Sequence, residues 1–191
     1  MSELLSYLYS LAPLTKSTAQ ALRALFSPRT LDKGECFIAA GEVAATIAFL
    51  EEGVVRAYHR SSKGVEYNKH FFQSPCLMGG YASLITKRPN QITQQALSPC
   101  SIWVADYAQL VALYNTHPDL ERVARVLAEQ FFVQKEQREV ELVLLNADQR
   151  YAIFQRDFPD LEQRISQYHI ASYLGITPTQ LSRIRRKMLR S

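Results

Sequence analysis

The stretch that decides the fold is QYHIASYLGITPTQLSRIRRKMLR, residues 167–190. Its first part places Ile170, Ala171 and Leu174 on one face of a helix, with a small side chain where a second helix could cross closely. Gly175 follows, at a point where a helix end often needs a positive φ that glycine adopts without strain. The pattern predicts a short helix that ends in a tight turn.

A second helix is predicted directly after that turn. Thr177 and Gln180 match a Thr-x-x-Gln capping box, and Pro178 suits the first helical position. The apolar side of this helix carries Leu181, Ile184 and Met188. Two short helices joined in this way are typical of a helix-turn-helix.

The opposite face of the second helix is basic. It carries Thr179, Arg183, Arg186 and Arg190 at helical spacing, and Gln180, Ser182 and Lys187 flank them. A helix of this size fits the major groove of B-DNA, where arginine can bind guanine with two hydrogen bonds and glutamine can bind adenine. Thr177 and the first amides of the helix are placed to bind a phosphate. The alternative is a surface helix whose basic face is only solvated.

Composition and charge restrict the class of protein. The chain has 191 residues, of which 47% are hydrophobic and 21% charged, and it has no apolar run long enough to span a bilayer. From residue 163 onward there are six basic residues and no acidic one, so this end carries +6 and the rest of the +4 chain carries −2. A basic end suggests a polyanionic partner, although charge alone fits a solubilising tail equally well. Three scattered cysteines and an N-terminus unlike a signal peptide predict a cytoplasmic protein with free thiols.

Residues 1–116 show two kinds of pattern. Leucines at helical spacing predict two helices before Pro28, the first reaching about Lys16. After Pro28, short runs of β-branched and aromatic residues separated by turn residues predict an antiparallel roll or barrel. Its clearest hairpin pairs residues 54–59 with residues 66–72.

Residues 117–145 predict one long helix with two apolar stripes. One stripe contains Leu120, Ala124, Leu127 and Phe131, and beside it Val126, Val133 and Val140 repeat every seven residues. The first stripe can cover the roll, and the seven-residue repeat suits the same helix of a second copy. The alternative is a helix buried within one chain, but Gln130, Lys135 and Arg138 are too polar for full burial.

The helix-turn-helix signature Ile170-Ala171-x-x-Leu174-Gly175-Ile176 resembles that of bacterial regulators, and the order of roll, long helix and helix-turn-helix resembles the Crp/Fnr (catabolite-activator-like) family. The turns at Lys33-Gly34-Glu35, Gly41-Glu42 and residues 51–56 resemble those of a cyclic-nucleotide-binding fold. The resemblance implies an α+β chain in three parts. These are a cyclic-nucleotide-binding-like β-roll (a double-stranded β-helix) with N-terminal helices in residues 1–116, a dimerisation helix in residues 117–145, and a DNA-binding helix-turn-helix domain in residues 146–191.

The family resemblance also implies partners and contact residues. It implies a homodimer joined along the long helix, which binds a roughly palindromic site in double-stranded DNA because successive major-groove faces lie about 34 Å apart. Base contacts would fall to Thr179, Gln180 and Arg183, and backbone contacts to Gln167 and Thr177. RNA polymerase is a further partner that this family allows. The complete set of candidate DNA-binding residues is Gln167, Thr177, Thr179, Gln180, Ser182, Arg183, Arg186 and Lys187.

The sequence departs from the family in the effector pocket and in length. The pocket would fall on Gly79, Gly80, Tyr81, Ala82, Ser83, Asn90 and Gln91. The family's ribose-binding glutamate has become Gly80 and its phosphate-binding arginine has become Asn90, so a buried phosphate would lose a charge-assisted contact worth a few kcal/mol. We therefore expect no cyclic AMP binding of the usual kind, no required cofactor, and an effector that the sequence does not identify. Because family members usually continue into a β-hairpin wing, we also expect a short form that lacks the wing.

Two other classes of function are weighed against a DNA-binding regulator. An enzyme built on a cupin-like metal barrel needs a His-x-His with a following glutamate, and His59, His70, His117 and His169 lack such spacing, so we predict no catalytic residue and no metal site. The remaining alternative is a degenerate sensor module that acts through a protein partner without DNA. The sequence favours a transcription regulator with no membrane partner.

Overall fold

The computed structural model describes residues 1–189, so the predicted recognition residue Arg190 lies outside the described residues. The helices are α1 (Ser2–Leu11), α2 (Lys16–Leu25), α3 (Tyr81–Thr86), α4 (Tyr107–Ala112), α5 (Pro118–Leu144), α6 (Ala147–Asp157), α7 (Leu161–Arg164), α8 (Gln167–Leu174) and α9 (Pro178–Met188). The strands are β1 (Ser27–Leu31), β2 (Cys36–Ile38), β3 (Thr46–Glu52), β4 (Val54–Arg60), β5 (Glu66–Gln73), β6 (Cys76–Gly79), β7 (Thr93–Ala96) and β8 (Cys100–Asp106). The predicted α+β class is confirmed.

The strands form two four-stranded sheets, in the orders β1-β8-β3-β6 and β2-β7-β4-β5. Strand β3 pairs antiparallel with both β6 and β8, and β1 continues the sheet by pairing antiparallel with β8. Most neighbours in a sheet are distant in sequence, as in a roll made of two facing sheets. The predicted roll is confirmed, and the predicted hairpin is formed by β4 and β5.

The first helix ends earlier than the sequence suggested. It was expected to reach about Lys16, but α1 ends at Leu11, and Ala12 is extended with φ −163°. The reason is Pro13, because the residue before a proline is pushed out of the helical region. A second helix then begins at Lys16, where the Thr15 side chain accepts a hydrogen bond from the Thr18 amide.

The chain divides into two compact units, and the first comprises residues 1–57 and 71–132. Its core is lined by the inner strands of the roll, where Phe49 and Leu50 are fully buried. The N-terminal helices contribute Leu4 and Leu22, and the first turns of α5 contribute Leu120 to the same apolar cluster. The stripe of α5 that was expected to cover the roll therefore does so at its N-terminal end.

The second unit comprises residues 58–70 and the chain from Val133 onward. Its core contains Tyr151, Phe154, Leu161, Ile170, Leu174 and Leu181. Strand β5 of the hairpin packs on α8 in this unit: the Asn68 amide donates to Ser172 Oγ at 3.0 Å, and that hydroxyl donates to Glu66 O at 2.8 Å. The His70 ring lies edge-on to Phe158. Tertiary contacts from a distant hairpin thus support the first helix of the predicted helix-turn-helix.

Within residues 1–189, no helix is both long enough and apolar enough to cross a membrane.

Candidate nucleic-acid interface

The turn between α8 and α9 has the geometry that its residues predict. Gly175 adopts φ +69°, and the Ile176 amide donates to Ala171 O at 3.0 Å, which closes the end of α8. Thr177 then caps α9: its hydroxyl accepts from the Gln180 amide at 3.2 Å, and Gln180 Oε1 accepts from the Thr177 amide at 3.0 Å. This reciprocal pair is the predicted capping box, and it sets the direction in which α9 leaves the turn.

The inward face of α9 is narrower than expected. Leu181 is fully buried and Ile184 is buried, whereas Met188, which was expected to face inward, is 38% exposed. Opposing them in the core are Ile170, Ala171 and Leu174 of α8, all buried. The small Ala171 side chain lies in this buried face, as expected for a close helix crossing.

The outward face of α9 carries polar and basic side chains. Thr179, Ser182, Arg183 and Arg186 are all exposed. Neither Arg183 nor Arg186 forms an ion pair with any residue in the range 1–189. Two unneutralised guanidinium groups, each presented by a rigid helix, can donate paired hydrogen bonds to a base edge or a phosphate.

The side chain of Gln180 is used differently from the sequence prediction. Its Oε1 accepts from both the amide and the hydroxyl of Thr177. Bidentate recognition of adenine needs the oxygen and the nitrogen of a glutamine amide together. A base contact by Gln180 remains a prediction, and it would require the capping box to open.

The two basic residues beside Arg186 have acidic partners in the same unit. Arg185 Nε lies 2.9 Å from Glu162 Oε1, and Lys187 Nζ lies 2.6 Å from Asp148 Oδ2. Sequence reasoning missed both acids because it counted charge only from residue 163 onward. Lys187 remains 72% exposed, so a DNA phosphate could compete with Asp148 for it.

The two ends of α8 differ in how their backbone groups are satisfied. At the N-terminus, Gln167 is exposed and Ser166 gives no side-chain cap. At the C-terminus, the Tyr173 carbonyl accepts from Arg138 at 2.6 Å and the Leu174 carbonyl accepts from Arg150 at 3.0 Å. Two arginines therefore satisfy carbonyl groups at the C-terminus of α8, where their positive charge also interacts favourably with the helix dipole.

The predicted effector pocket lies in the first unit, and its buried polar side chains form hydrogen bonds with neighbouring backbone groups. Ser83 is buried, and its hydroxyl accepts from the Ala44 amide at 3.0 Å while donating to Arg88 O at 2.6 Å. Asn90 is also buried, and its side-chain nitrogen donates to Ile92 O. A Cβ on Gly80 would lie 3.2 Å from the Ala44 Cβ and 3.4 Å from Asn90 Cγ, so the position has little room for a side chain.

The remaining pocket candidates are spread over a strand, a helix and a loop. Gly79 ends β6, and its carbonyl accepts from Gln94 Nε2 at 2.8 Å. Tyr81 and Ala82 begin α3 and are exposed, and Gln91 is exposed in the loop before β7. The structure therefore groups Gly80, Ser83 and Asn90 through shared contacts with the segment 41–44, while Tyr81, Ala82 and Gln91 face outward.

Comparison with known proteins agrees with this architecture. Residues 28–117 match the family model described as the cyclic nucleotide-binding domain. FixK2 from Bradyrhizobium japonicum superposes with a TM-score of 0.75 at 18% identity, covering 87% of this chain and 85% of FixK2. The global regulator CLP from Xanthomonas campestris, described as responsive to c-di-GMP, gives a TM-score of 0.72 at 16% identity over 92% of both chains. A crp/fnr family transcriptional regulator from Eubacterium rectale gives 0.72 at 16% identity, over 94% of this chain and 88% of that one. No curated protein sequence matches the chain.

These comparisons define the class of fold. Residues 28–117 resemble a cyclic nucleotide-binding domain, and the chain has a fold similar to that of Crp/Fnr regulators. The resemblance predicted from the sequence is confirmed at the level of the fold.

Proposed function

We propose that this protein is a dimeric, DNA-binding transcription regulator of the Crp/Fnr type, with α9 as its recognition helix. The observation that carries the proposal is the pair Arg183 and Arg186, which are exposed and form no ion pair within residues 1–189. They lie on the outer side of a helix whose inner side is anchored by Leu181 and Ile184. A basic helix that is rigidly held and outwardly directed suits the major groove. As a bacterial regulator of this type it would act in the cytoplasm, with RNA polymerase as a further partner.

Dimerisation is proposed to use the exposed apolar side of α5. Val133 and Val140, seven residues apart, are 48% and 50% exposed, and Leu144, one turn further on, is 73% exposed. Residues separated by seven positions lie within about 20° of each other around a helix, so these side chains form one stripe. Valine at every seventh position favours pairing with a second helix of the same kind. A second copy would bury the stripe and supply the second recognition helix for a palindromic site.

The effector is proposed not to be cyclic AMP bound in the usual way. The Ser83 hydroxyl already makes two hydrogen bonds, and Asn90 carries no positive charge. A cyclic phosphate would therefore have to break existing bonds without gaining a guanidinium partner at position 90. We propose that the DNA-binding form does not depend on cyclic AMP.

The experiment that tests the proposal is selection of bound sequences from random double-stranded DNA, with no nucleotide, with cyclic AMP and with cyclic di-GMP. We expect enrichment of an approximately two-fold symmetric site in all three arms. If each dimer makes about 6–10 phosphate contacts, affinity should fall by about 10³- to 10⁵-fold between 50 and 200 mM salt. Absence of any enriched sequence, with a shallow salt dependence, would contradict the proposal and favour a module that binds a protein partner.

Two variants test the orientation of α9. Arg183→Ala should lose about 1–3 kcal/mol of discrimination between the selected site and its single-base variants, because it removes a bidentate base contact. Arg186→Ala should weaken binding to all sequences about equally, because we assign it to the DNA backbone. Unchanged discrimination in the Arg183 variant would contradict this orientation of the helix.

A further inference from the structure

Arg185 interacts with a set of polar side chains inside its own unit, and a role in contacting DNA bases does not explain these interactions. Its guanidinium pairs with Glu162, and Glu162 Oε1 also accepts from the Tyr151 hydroxyl at 2.7 Å. Gln155 Nε2 donates to Glu162 Oε2 at 3.2 Å and to the Tyr151 hydroxyl at 3.1 Å. We call these four residues, Tyr151, Gln155, Glu162 and Arg185, the Glu162 network.

Within the Glu162 network, Tyr151 and Glu162 are shielded from water, whereas the Arg185 side chain is 35% exposed and Gln155 is exposed. Tyr151 is 2% exposed, and the side chain of Glu162 is 18% exposed. Burial, followed by the neighbouring Glu162 carboxylate, raises the pKa of Tyr151, so its hydroxyl stays protonated and donates. A carboxylate that accepts from a buried hydroxyl, an amide and a guanidinium has a defined position, since each bond restricts it in a different direction.

Arg185 and Lys187 lie on opposite flanks of α9. Successive helical residues are about 100° apart, so each lies roughly 70–90° from the inward direction defined by Leu181 and Ile184, on opposite sides. Arg186 then points almost directly away from the core. The ion pairs with Glu162 and Asp148 thus restrain the rotation of α9 about its own axis from both sides.

Resting on the proposed function, we infer that Glu162 is the positioning residue of the recognition helix, and that Arg185 acts through Glu162 without contacting DNA. The two buried apolar residues of α9, Leu181 and Ile184, do not by themselves prevent the helix from rotating about its own axis. A roll of about 20° would move side-chain ends about 6 Å from the helix axis by about 2 Å. Base contacts require placement within about 0.5 Å, so such a roll would cost Arg183 its bidentate geometry. Asp148 makes a more exposed pair with Lys187, and an exposed pair contributes less to positioning.

The inference is tested by a double-mutant cycle on DNA discrimination in the full-length protein. The probes are the duplex that the wild-type protein selects and the single-base variants of it that Arg183→Ala no longer distinguishes. Glu162→Ala and Arg185→Ala should each reduce the discrimination ratio about 10-fold, a loss within the range of one base contact. The double variant should be no worse than either single variant, because the two residues act through one interaction.

Two further variants separate positioning from charge and from folding. Glu162→Gln keeps an oxygen that accepts from Tyr151 and Arg185, so it should restore discrimination to within about threefold of the wild type. Asp157→Ala is the matched charge control, because Asp157 lies in the same unit and pairs with its neighbour Arg156. This control should bind all duplexes slightly more tightly and leave the ratio unchanged. All measurements are made at least 15 °C below the melting temperature of each variant, and Arg185→Ala supplies the test if Glu162→Ala does not fold.

The outcomes are distinguishable. Wild-type protein that selects no sequence overturns the proposed function and this inference with it. Wild-type selection with an unchanged ratio in Glu162→Ala overturns only the inference. Additive losses in the double variant also overturn it, because Arg185 would then contact DNA independently of Glu162.

Discussion

Replacing Val133 and Val140 by alanine should weaken the proposed dimer without disturbing the helix that forms it. Both valines lie on the exposed stripe of α5, where they are about half exposed. Alanine has a higher helix propensity than valine, so the helix itself should become slightly more stable. Any loss of association would therefore come from lost contact between copies.

The size of the effect follows from the exposed fractions. Each substitution removes two carbon atoms, worth about 0.8 kcal/mol each when fully transferred from water. With exposed fractions of 48% and 50%, roughly half of that transfer is available on association, or about 0.8 kcal/mol per valine. Two valines in each of two copies give about 3 kcal/mol, which corresponds to a dimer dissociation constant about 10²-fold higher.

The assay is sedimentation equilibrium over a range of protein concentrations, with Leu142→Ala as the matched control. Leu142 is 49% exposed on the same helix, but it lies about 160–180° around the axis from the two valines. Leu142→Ala should leave the dissociation constant unchanged. Equal weakening by both variants, or a wild-type protein that stays monomeric at every concentration, would refute the assignment of this stripe to the dimer.

Two further predictions concern stability. Gly53→Ala should destabilise the protein by about 2–4 kcal/mol in urea unfolding, because Gly53 has φ +113° and an added Cβ would lie 2.5 Å from Cys100 Sγ and 2.8 Å from Pro99 O. The control Gly64→Ala should cost only about 1 kcal/mol, because Gly64 has φ +79° but open space around it. Equal losses of stability in the two variants would show that the close approach at Gly53 is not the cause. Burial, with the nearby cations Lys69, Arg138 and Lys135, lowers the pKa of His70 to about 4, whereas the unfolded chain binds the proton near 6.5. The contribution of His70 to stability is therefore present above pH 6.5 and is lost as the pH falls towards 4, by up to about 3 kcal/mol. His70→Phe should flatten this part of the stability profile, and an unchanged slope in that variant would contradict the assignment.

Most of the local structure could be predicted because its signals lie within a few residues of each other. The capping box at Thr177 needs only a partner three residues later, and it forms as expected. The turn at Gly175 and the β4–β5 hairpin likewise depend on adjacent residues. The end of α1 was missed even though its cause, Pro13, is local, because the leucine spacing continued past it.

The partners of the basic residues could not be predicted, because they depend on tertiary placement. Glu162 and Asp148 lie 23 and 39 residues before the cations they pair with, on separate helices. The hydrogen bond between Asn68 and Ser172 joins positions 104 apart. Nothing in the spacing of these residues indicates that they meet, since their distance is set by how the core around Phe154 and Leu174 packs.

These placements change what the basic end of the chain implies. Counted as charge, residues 163 onward are uniformly positive, and that surplus fits a solubilising tail as well as a DNA-binding surface. In the fold, Arg185 and Lys187 are paired with acids, and of the cations on α9 it is Arg183 and Arg186 that point outward without an ionic partner among residues 1–189. A solubilising tail does not need some cations paired and others directed outward, because solvated charges increase solubility in any orientation. A recognition helix does need it, since base discrimination depends on where a few donors point and only weakly on how many there are. DNA binding of this kind therefore depends on the orientation of α9, which the Arg183 and Glu162 variants test directly.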